Sequence, residues 1–174
     1  MSGLIHIYEG DGKGKTSAGI GLSVRCAGNG DRVLYTQFLK GNDSSELRIL
    51  EQIEEITVAR CEKCFGFTFQ MTAETRKQAE EYYTAHFRYV AEQAIAGEYR
   101  LVVLDELIDA YNRNMVERRE VLDFLKHKPR ELEVALTGRN PAEELIALAD
   151  YISYVTKVRH PFDKGIPARR GIEL

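Results

Sequence analysis

The chain has 174 residues, with 24 Lys and Arg against 27 Asp and Glu, a formal net charge of −3, 44% hydrophobic and 29% charged residues, three Cys and no Trp. That length suits a single domain with a sizeable core, and the composition excludes long disorder. The slight negative charge excludes a general pull toward nucleic acid or an anionic membrane, and the longest aliphatic run, Leu101-Val102-Val103-Leu104, falls far short of the roughly 20 apolar residues of a spanning helix.

In chain order, Gly3–Tyr8 reads as a short buried strand, followed by a Gly-rich turn and a helix from Lys15 to Ala27 that Gly28-Asn29-Gly30-Asp31 stops. The β-branched and aromatic run Arg32–Phe38 predicts a second strand, Ser44–Ile53 a short helix and Ile56–Ala59 a third strand. Thr72–Ala96 is the longest helical pattern, with Ala79, Tyr83, Phe87, Val90 and Ala94 on one apolar stripe suited to core packing. Leu101–Leu104 reads as a fully buried strand ending in Asp105-Glu106. Arg118–Lys126 predicts a helix, Glu133–Leu136 a strand, Pro141–Ala149 a helix with Pro at its first position, and Tyr151–Val155 a last strand. From 157 to 174 the composition shifts to Pro, Gly and basic residues, and an irregular tail is expected. Buried strands alternating with helices predict one α/β domain over residues 1–174, a mostly parallel sheet with helices on both faces. The N-terminus lacks the marks of a signal peptide, and Cys26, Cys61 and Cys64 do not make a disulfide framework, so a cytoplasmic protein is expected.

The strongest local signal is Gly10-Asp11-Gly12-Lys13-Gly14-Lys15-Thr16-Ser17, between the first strand and the first helix. Glycines there let successive backbone N–H groups face one cavity, and the helix N-terminus adds its positive dipole end. Lys15 would reach phosphates and the Thr16 hydroxyl would ligate Mg²⁺. The usual pattern would place Gly at position 9, where Glu9 stands, so the loop counted from Gly10 is one residue short. Asp105-Glu106, ending an apolar strand, is the second piece: carboxylates at that place hold metal or orient a nucleophile, or else cap the following helix. Arg139 in Thr137-Gly138-Arg139 could clamp phosphate or form a surface ion pair. Cys61-x-x-Cys64 is a lone pair, short of the four ligands of structural zinc. The expected fold class is a single-domain P-loop NTPase-like (RecA-like) α/β fold.

Taken together, these blocks resemble the P-loop family of ATP:corrinoid adenosyltransferases. The short loop is itself part of that resemblance. It continues through Gln37-Phe38-Leu39-Lys40-Gly41, Glu46, Gly66-Phe67-Thr68-Phe69, Val102–Glu106, Thr137-Gly138-Arg139, Ala149-Asp150 and the stretch from His160-Pro161-Phe162 to Gly171-Ile172-Glu173, in family order. The resemblance implies that a reduced corrinoid, as Co(I), attacks the ribose 5′ carbon of ATP and expels triphosphate. It also implies that ATP lies reversed relative to ordinary P-loop enzymes. ATP would then bind across Gly10 to Ser17 and Arg139, with Lys15, Thr16 and Glu106 as the catalytic set. Mg²⁺ would sit on Thr16 and Glu106, with Asp105 behind them. Phe67, Phe69 and His160 would face the corrinoid, the aromatics displacing the lower axial ligand of cobalt. Phe69 stands where the family often has Trp, which keeps an apolar wedge but loses area and the indole N–H. Some members close the site with an extra N-terminal segment; this chain begins almost at its first strand, so closure is expected from the 157–174 tail or a dimer partner. A homodimer and a flavoprotein electron donor are further implications. Two rival readings are an ordinary phosphotransferase or nucleoside kinase, which would yield ADP, and a non-catalytic corrinoid- or ATP-binding module, which would bind without turnover.

Overall fold

The computed structural model describes residues 2–41, 44–66 and 70–173. Six strands, β1 (Ile5–Glu9), β2 (Val33–Gln37), β3 (Ile56–Ala59), β4 (Leu101–Asp105), β5 (Glu133–Gly138) and β6 (Tyr151–Tyr154), form one sheet in the order β3-β2-β4-β5-β1-β6. Every pairing is parallel, where the sequence had suggested mostly parallel. The helices are α1 (Lys15–Ala27), α2 (Leu47–Leu50), α3 (Ala73–Ala96), α4 (Leu107–Asn112), α5 (Arg118–His127) and α6 (Glu143–Ile146).

Alternation along the central strands divides the core between the two sheet faces. Leu34, Val102, Leu104, Val134 and Leu136 pack with α3, α4 and α5, whereas Val33, Tyr35, Leu101, Val103 and Ala135 pack with residues of α1 and α2. Burial on both faces explains why Leu101–Leu104 of β4 reads as a continuous apolar run. The α3 stripe is buried as its spacing predicts, and the helix starts where the Thr72 side chain accepts the Thr75 N–H. His86 joins that stripe. The Thr36 hydroxyl donates to the Ala59 carbonyl, so the His86 Nε2–H donates to Thr36 Oγ1 at 2.8 Å, and burial holds the imidazole neutral with its pKa lowered to about 4.

Three local expectations are corrected. Helix α4 was not expected: Leu107–Tyr111 is buried all round, which erases the one-sided periodicity by which a short helix is recognised. The helix expected over 141–149 shortens to Glu143–Ile146, with Pro141 ahead of the Ala142 cap. The tail, expected to be irregular, contains a 3-10 turn over Pro161–Lys164.

Register decides what the fold can do. Glu9 is level with Gly138, Gln37 with Asp105, and Leu104 with Leu136, so the carboxyl ends of β1, β2, β4 and β5 meet on one rim. In parallel α/β sheets that rim is where ligands bind.

If the α3 stripe carries the packing, Phe87→Ala, which removes the ring stacked edge-on to Phe124 at 5.9 Å, lowers unfolding free energy by about 3–5 kcal/mol. On the same helix, exposed Tyr89→Ala changes it by no more than about 0.5 kcal/mol. Urea unfolding followed by circular dichroism checks both.

Candidate active site

The phosphate loop connects β1 to α1. Gly14 caps α1 at φ 124°, a conformation open to Gly, and no side chain occupies the cap, so the first-turn N–H groups remain available to a ligand. Lys15 is 6% exposed, and its ammonium donates to the Gly12 carbonyl at 2.9 Å. Burial, and then the neighbouring Arg139 charge, push the Lys15 pKa below its ordinary value. A buried ammonium bonded to a carbonyl lacks a full counter-charge, and a phosphate would supply one.

The loop is strapped from outside. The chain leaving β6 runs over it: the Gly12 N–H donates to the Val155 carbonyl at 2.8 Å, and the Lys157 N–H donates to Asp11 Oδ1 at 2.9 Å. That backbone bond holds the Asp11 carboxyl below its ordinary pKa. A Cβ on Gly12 would stand 2.7 Å from the Val155 oxygen, closer than real contacts allow. Lys13 is half-exposed and pairs with Glu173 at 3.7 Å, which brings the end of the tail onto the same loop. Ser17 is exposed on the first turn of α1.

Opposite the loop, Asp105 ends β4 with no solvent exposure. Its carboxylate accepts from Thr16 Oγ1 at 3.0 and 3.1 Å, from Thr137 Oγ1 at 2.6 Å, from Lys40 Nζ at 2.6 Å and from Gln37 Nε2 at 3.3 Å. Thr137 Oγ1 also accepts the Glu106 N–H at 2.9 Å, which fixes the turn from β4 into α4. Glu106 adopts φ 60°, a left-handed conformation that costs a non-glycine residue about 1–2 kcal/mol. Desolvation, then the Asp105 and Asp109 charges, raise its carboxyl to a pKa of about 7. Gln37 Nε2 also donates to Glu46 Oε1 at 2.7 Å, while Gln37 Oε1 is buried without a partner among the described residues.

On β5, Gly138 stands at φ 150°, and a Cβ there would lie 2.6 Å from the Ile108 Cβ. This close approach lets Asp109 Oδ2 accept the Arg139 N–H at 3.0 Å, and Asn112 Nδ2 donates to the Arg139 carbonyl at 3.0 Å. Helix α4 thus anchors the backbone of Arg139, whose exposed side chain is near enough to influence both Lys15 and Glu106.

Lys15, Thr16, Asp105, Glu106 and Arg139 therefore lie near one another. Three further participants carried no role in the sequence reading: Lys40, Gln37 and Thr137, each inside a recognised block but with no spacing that marks it as a site residue. The His160 Nδ1 accepts the Phe162 N–H at 3.1 Å and starts the 3-10 turn. Phe67 and Phe69 lie outside the described residues. Asp150 is structural, accepting the Ile5 N–H at 2.8 Å to tie the start of β6 to β1. The Cys61 thiol is buried, with burial pushing it up to about 11, and Cys64 is exposed.

The donor set suits Mg²⁺. A threonine hydroxyl and carboxylates are hard oxygen ligands, and Mg²⁺ typically takes one or two protein carboxylates, with phosphates and waters completing its shell. Among the described residues no group of three or more His, Cys, Asp or Glu is placed to hold a metal ion. The raised Glu106 carboxyl and the unpartnered Gln37 oxygen mark a cluster in want of a cation.

Comparison with known proteins places these features in context. The family model described as "ATP:corrinoid adenosyltransferase BtuR/CobO/CobP" matches residues 1–174. A corrinoid adenosyltransferase of Sinorhizobium sp. is 34% identical across 99% of this chain and 80% of its own length. The corrinoid adenosyltransferase of Escherichia coli K12 is 33% identical across 98% and 85%. The corrinoid adenosyltransferase CobA of Salmonella typhimurium is 31% identical across 98% and 85%. Among solved structures, a KaiC-like protein of Pyrococcus horikoshii superposes with a TM-score of 0.53 at 12% identity, covering 89% of this chain and 73% of that one, a likeness of fold alone.

The Glu106 environment has a consequence for pH. The nucleotide-free folded protein keeps the Glu106 proton up to about pH 7, whereas the unfolded chain releases it near 4.5. Stability from this group is therefore complete below pH 4.5 and is lost as pH rises through 7, a loss of about 1–3 kcal/mol. Denaturant titrations from pH 5 to pH 8 should show that decline, and Glu106→Gln should flatten it.

Proposed function

The chain belongs to the ATP:corrinoid adenosyltransferase family described as BtuR/CobO/CobP, and from that membership we propose how its own residues carry the reaction. The enzyme transfers the 5′-deoxyadenosyl group of ATP to the Co(I) of a reduced corrinoid, in cobalamin biosynthesis or salvage. A Co–C bond forms as the C5′–O bond breaks; cobalt gives up an electron pair to carbon, and triphosphate departs with the pair from the broken bond.

The observation that carries the residue assignment is the convergence of a buried Lys15 with Thr16, Asp105 and Glu106 on the rim shared by β1 and β4. Co(I) is a powerful nucleophile, so the protein's task is to bear the charge growing on the leaving group and to exclude water. Lys15 and the uncapped N-terminus of α1, within the loop from Gly10 to Ser17, receive the triphosphate. Arg139 reaches the same anion from the anchored turn after β5. Lys13 and Asp11 keep the loop in place through the tail and the strap after β6. Thr16 and Glu106 would hold Mg²⁺, with Asp105 orienting Thr16; when bound, the metal neutralises phosphate charge and stabilises the leaving group. With the triphosphate seated in this loop, the adenosine would be turned so that its 5′ carbon faces the corrinoid rather than the loop.

Phe67, Phe69 and His160 make up the proposed corrinoid face, resting on the Gly66-Phe67-Thr68-Phe69 and His160-Pro161-Phe162 blocks. The tail from 157 to 174 is the proposed cover, supported by its contacts with the phosphate loop. A homodimer is supported by the outer strand β6, which leaves Tyr151, Ile152 and Tyr154 exposed, with Val158 and Phe162 exposed nearby in the chain. A flavoprotein electron donor and a cytoplasmic setting complete the reading. No helix among the described residues is long and apolar enough to cross a membrane.

Lys15→Ala should lower adenosyl transfer by about 10²–10³-fold without unfolding the protein. Anaerobic incubation with MgATP and chemically reduced corrinoid, followed by the light-sensitive product spectrum and a triphosphate assay, reads this out; wild-type turnover would remove Lys15 from the mechanism. Phe69→Ala should slow reduction of bound Co(II) more than transfer to prereduced Co(I). Equal losses in the two assays would refute the wedge role.

A further inference from the structure

Lys40 follows β2 in the segment Phe38–Gly41, just after Leu39 at φ 58°. Its ammonium lies 2.9 Å from Thr16 Oγ1 and 2.6 Å from Asp105 Oδ2, while Thr16 itself donates to that carboxylate. The three groups close a triangle in which an ammonium bridges the threonine hydroxyl of the phosphate loop and the carboxylate ending β4. A divalent cation held by Thr16 and Glu106 would, at the Mg–O distance of about 2.1 Å from Thr16, crowd the ammonium. Two cations so close in a part-buried site repel strongly. The environments also differ: Asp105 has no solvent exposure, whereas the Lys40 side chain is 27% exposed. The carboxylate cannot leave, but the ammonium can.

We infer that Lys40 is the resident counter-cation of the metal position: it neutralises Asp105 in the nucleotide-free protein, bars free divalent metal from Thr16, and yields when nucleotide arrives with its own metal. The inference rests on the reading above that Thr16 faces the metal of MgATP. Displaced, the ammonium would meet the triphosphate, so the metal on Thr16 and Glu106 takes over as the positive charge facing Asp105 while Lys40 gains an anionic partner. The site then takes up metal and nucleotide as a complex rather than in sequence. An ordinary ion pair that merely ties residues 38–41 to the sheet would instead make Lys40 a stability residue with no effect on metal affinity.

The test uses Mn²⁺ as the probe, with free Mn²⁺ followed by electron paramagnetic resonance during titration of the full chain at low ionic strength. Without nucleotide, Lys40→Met should bind one Mn²⁺ at least about tenfold more tightly than wild type. Lys40→Gln, which keeps a donor for Asp105 but no charge, should show a comparable gain and covers the case in which the Met variant folds poorly. Lys77→Met removes one positive charge from the exposed face of α3, where it stands in a screened pair with Glu81, and should stay within about threefold of wild type. Adding Asp105→Asn to Lys40→Met should abolish the gain. With ATP present, the Lys40 variants and wild type should converge. If neither Lys40 variant tightens Mn²⁺ binding, or if Lys77→Met tightens it equally, the inference fails. If the Thr16→Val variant binds Mn²⁺–ATP as tightly as wild type does, the reading beneath it fails as well, which separates the two outcomes.

Discussion

A fully buried carboxylate is the constraint on which the rest of this site depends. Asp105 ends β4 with no exposure, and a carboxylate in that position would cost several kcal/mol if left unpaired. It is met instead by groups from four parts of the chain: Thr16 from the phosphate loop, Gln37 and Lys40 from the end of β2 and the segment after it, and Thr137 from β5. The sheet order makes this feasible. Strand β5 lies between β4 and β1, so Thr137 bridges toward the strand that launches the loop and at the same time pins the Glu106 turn. Solvating one charge thus sets the mutual positions of the elements proposed to receive the nucleotide.

The phosphate loop is fixed from its other side by backbone rather than charge. β6 continues past its last paired residue to strap Gly12 and Asp11, and the tail reaches back to Lys13 through Glu173. A loop one residue shorter than the usual form can therefore be rigid before ligand arrives, with Lys15 held inside it by the Gly12 carbonyl. Preorganisation of this kind suits chemistry in which the nucleophile supplies the reactivity and the protein supplies position and a place for the departing charge.

Different parts of this arrangement were legible in the sequence to different degrees. Lys15, Thr16, Asp105 and Glu106 could be named from the chain because their roles attach to a local pattern: glycines between a strand and a helix, and carboxylates at the end of an apolar strand. Lys40 and Thr137 could not be given roles, because each acts only through Asp105, 65 and 32 residues away. Helix α4 was missed for a related reason. A helix buried on every side shows no periodicity, and its task of holding Arg139 through Asp109 and Asn112 is a contact across about thirty residues. The 141–149 helix was overextended because Pro141 was read as a first helical position, when the helix begins two residues later.

By itself, then, the sequence determined the alternating α/β order, the phosphate loop with its missing residue, the acidic pair and the family. Each of these rests on local spacing or on an ordered set of short blocks, which a linear chain records directly. Only the tertiary structure decided the all-parallel strand order, the burial of Asp105, the strap over Gly12 and the seat of Lys40 between Thr16 and Asp105. The physical reason is that a charge's surroundings belong to no single stretch of chain: strand register and desolvation determine which distant groups must answer it.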